Sequence, residues 1–136
     1  MPNNHEAGYS SWIKKAEEDE LSVGAVLRAG APSTGCFLAE QMAEKCLKAL
    51  LVFYRKDFPK VHDLLDLETR LLGVAPEIER FHSDLDFLNR YYIETRYPGD
   101  YPEFTKEECE KAFEAALRVK RFVTDKIEQR SGETAS

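Results

Sequence analysis

The fold is decided by the stretch from Cys36 to Lys56, which reads CFLAEQMAEKCLKALLVFYRK. Its apolar residues recur every three or four positions, which is the spacing of a buried helix face, and they form two stripes. The stripes consist of Leu38, Met42, Cys46, Ala49 and Phe53, and of Leu47, Leu50, Leu51 and Tyr54. A helix with two such stripes lies in the middle of a bundle or in a subunit interface. We therefore predict an all-α protein built around this helix.

Proline and glycine divide the rest of the chain into further helices, because helix interiors exclude proline. No stretch alternates with period two, so no strand is predicted. Four more helices are expected, at about Ser11 to Ala29, His62 to Leu72, Pro76 to Thr95 and Thr105 to Glu128. Gly30 ends the first of them, and Thr105 with Glu108 forms a capping box at the start of the last. The prediction is an antiparallel up-and-down bundle of about five helices.

Length and charge narrow the possible functions. The chain has 136 residues and a net charge of −6, which indicates a single domain, residues 11–128, between short tails at 1–10 and 129–136. A protein that coats nucleic acid needs a basic surface, so that class is excluded, although a small basic pocket is not. The longest apolar run, from Ala49 to Tyr54, is far shorter than the ~20 residues of a membrane span. Three cysteines and the lack of a visible secretory signal predict a cytoplasmic protein.

The spacing of the histidines, cysteines and acidic residues does not indicate a metal site. Glu79 and His82 form one E-x-x-H motif, whereas a di-iron bundle needs two such motifs and two further glutamates. We expect His82 to contact Asp86 at the surface instead. The cysteines lack the close spacing of zinc ligands, and no glycine-rich phosphate loop is present. The sequence thus predicts no metal and no cofactor.

Two charged groups on the predicted helices have alternative interpretations. The acidic block Glu17 to Glu20 is interpreted as a solvated face near a helix N-terminus, with a cation site as the alternative. Gln41, Lys45 and Lys48 share one face of the central helix. They form either an exposed stripe stabilised by Glu44–Lys48 pairing or a basic strip that faces a phosphate-bearing partner.

A second candidate binding segment runs from Arg90 to Phe104 and reads RYYIETRYPGDYPEF. It contains four of the six tyrosines and two arginines, at a Pro-Gly turn after the fourth helix. Aromatic rings stack on bases and guanidinium groups bind phosphate, so the segment is suited to nucleotides or RNA. The alternative is an inter-helix loop anchored by its packed tyrosines.

Read together, these segments resemble the HEPN domain family. The matching pieces are WIKKAEED from Trp12, CFLAEQMAEKCLKALL from Cys36, HDL from His62 and YIETRYP from Tyr92. The final helix, with Ala112, Ala115, Ala116 and Val119, also fits. The resemblance covers roughly residues 11–127 and implies an up-and-down helical bundle that usually dimerises. A homodimer is also expected because the two stripes of the central helix exceed what one bundle face can cover.

The resemblance has two implications for activity. Many HEPN proteins are ribonucleases that need no metal and use an R-x₄₋₆-H motif, whose two copies meet across the dimer. Arg96 matches the arginine, but Tyr101, Pro102 and Glu103 stand where the histidine would fall. Other members are small stand-alone chains that accompany minimal nucleotidyltransferases in toxin–antitoxin-like pairs.

The incomplete motif favours a dimeric nucleotide- or RNA-binding protein that partners a minimal nucleotidyltransferase over an enzyme. Its expected binding residues are Arg96, Tyr97, Tyr92, Lys45 and Lys48. The alternative is a metal-independent ribonuclease toxin that uses Arg96 with Tyr101 as a substitute base.

Overall fold

The computed structural model describes the backbone of residues 4–92 and 103–135 and the side chains of residues 8–92 and 103–130. Within these ranges the protein is helical and contains no strand, as predicted. A 3-10 helix, Pro76–Phe81, leads directly into the fourth α-helix. The α-helices are α1 (Asn4–Ala29), α2 (Pro32–Phe53), α3 (Leu64–Leu71), α4 (His82–Asn89) and α5 (Lys106–Ala135).

Helix α2 lies at the centre and packs against α1, α3, α4 and α5. Residues from both of its apolar stripes are fully buried, among them Met42, Cys46, Leu47, Leu50 and Leu51. The neighbouring helices of the same chain thus cover most of both stripes, while Leu38, Phe53 and Tyr54 stay half-buried. Among the described side chains, the large exposed hydrophobic residues are Leu21 and Leu72. The homodimer itself stays a prediction.

The other helices contribute the apolar positions that their spacing predicted. The fully buried residues among them are Ala16 and Val23 of α1, Leu64, Leu67 and Leu71 of α3, Ile78 of the 3-10 helix, Leu85 and Leu88 of α4, and Cys109, Ala112, Ala116, Val119 and Val123 of α5. The capping box is confirmed, because the amide of Glu108 donates to Thr105 Oγ1 at 3.0 Å and the amide of Thr105 donates to Glu108 Oε1 at 3.3 Å. Gly30 ends α1 with φ +84°, also as predicted.

Several helix ends differ from the predicted ones for identifiable reasons. Helix α1 begins at Asn4 instead of Ser11, since Gly8 allows its first turns to approach α2 and Tyr9 packs edge-on against Phe53. Helix α5 continues to Ala135, because the polar residues after Glu128 include good helix formers. Both predicted tails are thus largely helical.

Helix α2 ends at Phe53, before the predicted Lys56. Arg55 adopts a left-handed backbone with φ 59°, and the amide of Lys56 then donates to Leu51 O at 2.8 Å. The stretch after Pro76 is not one α-helix to Thr95: it starts as the 3-10 helix, its α-helical part ends at Asn89, and Thr95 lies outside the described residues.

Candidate functional site: a buried carboxylate and an exposed histidine

The site is built on Glu44, in the middle of α2, whose side chain is almost completely buried. Its Oε2 accepts a hydrogen bond from Lys48 Nζ, one turn further along the helix, at 3.0 Å. Its Oε1 lies 3.0 Å from His62 Nδ1. A buried carboxylate is costly unless donors satisfy it, and an ionised carboxylate can only accept. Glu44 therefore fixes the Nδ1–H tautomer of His62.

His62 lies in the loop before α3 and is held on a second side by Tyr92. The two rings are stacked, with centroids 4.6 Å apart and an interplanar angle of 13°. The following residue, Asp63, caps α3 by accepting from the amide of Leu65 at 2.9 Å, and it is bound by Asn89 at the end of α4. His62 nevertheless remains 46% exposed. Its other ring nitrogen, Nε2, forms no hydrogen bond within the described part of the chain.

Lys48 is enclosed by aromatic rings as well as by Glu44. Its ammonium lies 5.5 Å from the centroid of Trp12 and 5.7 Å from that of Phe58. The predicted Glu44–Lys48 pair is therefore present, but the expectation of an exposed stripe is wrong, because both residues are buried. A phosphate could reach Lys48 only after these contacts break.

Lys45, the other predicted basic ligand, belongs to a different contact. Its Nζ lies 2.7 Å from Asp19 Oδ2 of α1, and Glu20 binds Lys120 of α5 at 2.6 Å. The acidic block does not lie at a helix N-terminus, because α1 begins at Asn4. Glu17 and Glu18 are exposed, as the solvated-face interpretation predicted, whereas Asp19 is buried and Glu20 half-buried. The block links α1 to α2 and α5 through ion pairs.

A second buried carboxyl, Glu40, was not singled out by the sequence. Its Oε1 accepts from Gln41 Nε2 at 2.8 Å, while Oε2 is buried and has no hydrogen-bond partner within the described ranges. Burial raises the pKa of Glu40 to about 8. The signal that could have revealed this position is its spacing, since Glu40, Glu44 and Lys48 repeat every four residues on an otherwise apolar helix.

The two histidines in the middle of the chain, His62 and His82, contact different glutamates. His82 Nδ1 lies 2.8 Å from Glu68 Oε1 of α3, so the predicted surface contact with Asp86 is wrong. The hydrogen bond to Glu68 raises the pKa of His82. Glu79 takes no part in this bond. Across the described side chains, no group of three His, Cys, Asp or Glu residues converges as a metal site would require.

The predicted ligands Arg96, Tyr97 and Tyr101 lie outside the described residues. Tyr92 is described and stacks on His62, whereas Tyr91 is fully buried and donates to Glu108 Oε2 at 3.1 Å. The packing interpretation is thus right for Tyr91. Of the predicted residues, the structure brings Tyr92 and Lys48 to the Glu44–His62 pair, and it holds Lys45 on the α1 side of α2.

The chain is similar in sequence to known proteins. The sequence profile described as "HEPN domain" matches residues 9–127. The chain is 25% identical over 142 aligned positions, covering 89% of each chain, to the Methanocaldococcus jannaschii protein "Putative toxin MJ1304".

Two solved structures share the fold. The archaeal HEPN homologue ST0689 superposes with a TM-score of 0.71 at 25% identity and covers 88% of this chain and 97% of its own. TT1696 from Thermus thermophilus superposes with a TM-score of 0.72 at 30% identity and covers 87% of this chain and 97% of its own.

No helix within the described residues is both long and apolar enough to cross a membrane.

Proposed function

Because the chain belongs to the HEPN domain family, we propose that it is a toxin-like protein that binds RNA or nucleotides at the Arg96 corner. We define this corner as residues 92–104, from Tyr92 to Phe104. The proposed protein is a homodimer whose partner is a minimal nucleotidyltransferase. The observation that carries the proposal is the stacking of Tyr92 on the exposed ring of His62, because the corner begins there with an aromatic platform.

The composition of the corner supports a ligand that carries both bases and phosphates. Arg96 follows Tyr92 by four residues and Tyr97 comes next. A guanidinium group matches two phosphate oxygens, and tyrosine rings accept stacked bases of any kind. Similarity to the protein named "Putative toxin MJ1304" supports a toxin-like role.

The binding proposal is tested with Arg96→Ala and a labelled single-stranded RNA oligonucleotide, titrated at low salt. One charge-assisted contact contributes ~1.5–3 kcal/mol, so we expect binding to weaken about ten- to a hundredfold. Arg70→Ala is the matched control: Arg70 is exposed on α3, outside the candidate binding segment, its Nε lies 3.0 Å from Asp66 Oδ2, and its loss should leave binding unchanged.

The melting temperature, measured on the same samples, separates binding from folding. An Arg96→Ala protein that melts like the wild type but binds RNA weakly supports the proposal. Equal losses in both arginine variants, or no RNA binding by the wild type, would overturn it.

A second candidate function is the metal-independent ribonuclease toxin. A specific observation favours it: Glu44 contacts Nδ1 of the imidazole of His62 at 3.0 Å, and the side chain of His62 is 46% exposed. Tyr101 is then not needed as the substitute base. The two functions differ in a simple assay: a ribonuclease arrests growth when expressed alone and cleaves RNA in the presence of EDTA, whereas a binding module does not cleave.

A further inference from the structure

We propose that the cleft between the 3-10 helix and the C-terminal half of α5 binds a small hydroxylated phosphate monoester, such as a sugar phosphate or a nucleotide. This cleft lies at the N-terminal end of α4, whereas the Arg96 corner follows the C-terminal end of the same helix. The two sites are therefore separate, and the cleft does not depend on the RNA binding proposed above.

The cleft has the size of a small-molecule site. Its volume is about 430 Å³, within the range of ~300–1,000 Å³ that ligand pockets occupy. The rings of Phe81 and Phe122 line it and pack on each other, with centroids 5.0 Å apart. Apolar rings combined with a few charged groups are typical of a site that holds an organic molecule with a polar end.

Two ion pairs join the walls of the cleft. Arg118 of α5 donates to both carboxylate oxygens of Asp84 of α4, at 2.8 and 3.0 Å. Lys126, about two turns further along α5, binds Glu77 of the 3-10 helix. A bidentate pair holds both side chains in one geometry. The walls are therefore fixed relative to each other, and the charges of these two cations are already neutralised.

Arg80 and Arg121 supply the charge that a phosphate group would neutralise. They come from the two walls of the cleft, both are exposed, and neither forms an ion pair with any described side chain. Arg80 Nε lies 3.4 Å from the carbonyl oxygen of Glu77, and its guanidinium lies 5.8 Å from the Phe81 centroid. Single exposed arginines are common, but two unpaired guanidinium groups in one cleft match the charge of about −1.5 to −2 that a phosphate monoester carries near pH 7.

Asp125 indicates which kind of molecule carries the phosphate. Its carboxylate lines the same cleft one turn after Arg121, where it repels a bare phosphate ion. An ionised carboxylate accepts hydrogen bonds, and the hydroxyl groups of a sugar donate them, as ribose hydroxyls do to an acidic residue in dinucleotide sites. The amide of Gln129, one turn further, can both donate and accept. The cleft thus favours a hydroxylated ester over inorganic phosphate.

The test is calorimetric titration of the full chain at low salt with ribose 5-phosphate, adenosine 5′-monophosphate and inorganic phosphate. Both esters should bind, and inorganic phosphate should bind at least about tenfold more weakly. Equal affinity for the two esters would identify a sugar phosphate as the ligand, whereas tighter binding of adenosine 5′-monophosphate would identify a nucleotide. Failure of both esters to bind, or equal binding of inorganic phosphate, would overturn the proposal.

Substitutions locate the binding in the cleft. Arg80→Ala and Arg121→Ala should each weaken ester binding about ten- to a hundredfold, because each removes a charge-assisted contact. Arg28→Ala is the matched control, since Arg28 is exposed at the end of α1, outside the cleft, and also forms no ion pair with a described side chain. Arg96→Ala should bind the esters like the wild type, which separates the cleft from the corner. An equal loss in Arg28→Ala, or a loss confined to Arg96→Ala, would contradict the assignment.

Asp125→Ala tests the hydroxyl contact, because it should change the two kinds of ligand in opposite directions. Ribose 5-phosphate should bind more weakly and inorganic phosphate more tightly, so the ratio of their affinities should fall at least about tenfold. A purely structural role of Asp125 would lower both affinities alike. An unchanged ratio would therefore overturn the assignment of a hydroxylated ester to this cleft.

Discussion

At the scale of single residues, two carboxyl groups one turn apart on α2 are stabilised in different ways. Glu44 has a partner at each of its two oxygens, with Lys48 Nζ 3.0 Å from Oε2 and His62 Nδ1 3.0 Å from Oε1. Among the described side chains, only the amide of Gln41 donates a hydrogen bond to Glu40. Burial raises the pKa of Glu40 to about 8, so it is mostly protonated near neutral pH. The same residue type thus has partners at both oxygens at one position and at a single oxygen at the other.

The neutral state of Glu40 predicts a pH-dependent stability. In the unfolded chain this group ionises near its ordinary value of 4.5, but in the folded protein only near 8. The folded state therefore binds more protons in this window, and the free energy of unfolding should fall as pH rises from 4.5 to 8, by up to about 1.4 kcal/mol per pH unit. Urea denaturation at several pH values measures this slope.

Glu40→Gln should remove that slope, because the amide is uncharged at every pH. Exposed Glu79 provides the control, and Glu79→Gln should keep the wild-type slope. A Glu40→Gln curve that runs parallel to the wild type would show that this carboxyl is already ionised in the folded protein.

At this scale, the sequence predicted which side chains form a pair but not that the pair is buried. The spacing of Glu44 and Lys48 was enough to predict their pairing, yet Trp12 and Phe58, which enclose Lys48, come from distant parts of the chain. The contact of His82 with Glu68 was missed for the same reason, since it depends on how α3 packs against α4. Local spacing cannot reveal such contacts.

At the scale of helices, the bundle depends on a close approach of α2 to α1 and α5 near Gly35. A Cβ atom placed on Gly35 would lie 2.3 Å from Cys109 Sγ and 3.2 Å from Val26 Cγ2. Cys36 and Cys109 are fully buried at this contact, and burial raises the pKa of Cys36 to about 12. The thiols therefore behave as small apolar groups in the packing.

Gly35→Ala should destabilise the protein by about 1–3 kcal/mol, because the extra methyl group forces α2 away from α5. Gly24→Ala in α1 is the control: its Cβ would meet only the flexible tip of Arg28 at 3.4 Å, so the gain in helix propensity should make it neutral or stabilising. Urea denaturation compares the two. Equal stability of both variants would contradict the close packing.

Helix number, order and core positions could be predicted from apolar spacing, because these depend on local pattern. Helix ends could not, since they depend on packing between helices. Helix α1 is longer than predicted because Gly8 and Tyr9 pack on the end of α2. Helix α2 ends where Arg55 adopts a left-handed backbone, although no proline or glycine at that position predicts the end. The candidate site was only partly predicted: Tyr92 and Lys48 were predicted as binding residues, but the place of His62 in the site and the burial of Glu44 were not.

At the scale of the whole molecule, ion pairs between helices engage several basic side chains. Arg118 binds Asp84 of α4 at 2.8 Å, Lys126 binds Glu77, and Lys45 and Lys120 bind the acidic block of α1. Together with the net charge of −6, these pairs argue against a broad basic surface. The RNA binding that we propose would therefore come from a small area such as the Arg96 corner.

The homodimer is a whole-molecule prediction that now rests on the family alone. The described surface exposes few large hydrophobic residues, so a dimer formed by it would have a polar interface. Light scattering at micromolar concentration should give twice the chain mass of 15.6 kDa. A mass of one chain across this concentration range would contradict the prediction.

The most direct test of the central claim is an NMR titration with single-stranded RNA that follows the side-chain signals of His62, Tyr92 and His82. Recognition at the Arg96 corner predicts that the signals of His62 and Tyr92 shift together and saturate at the same RNA concentration, while that of His82 stays in place. Shifts centred on His82, or no shift at His62 and Tyr92 when RNA is bound, would contradict the account.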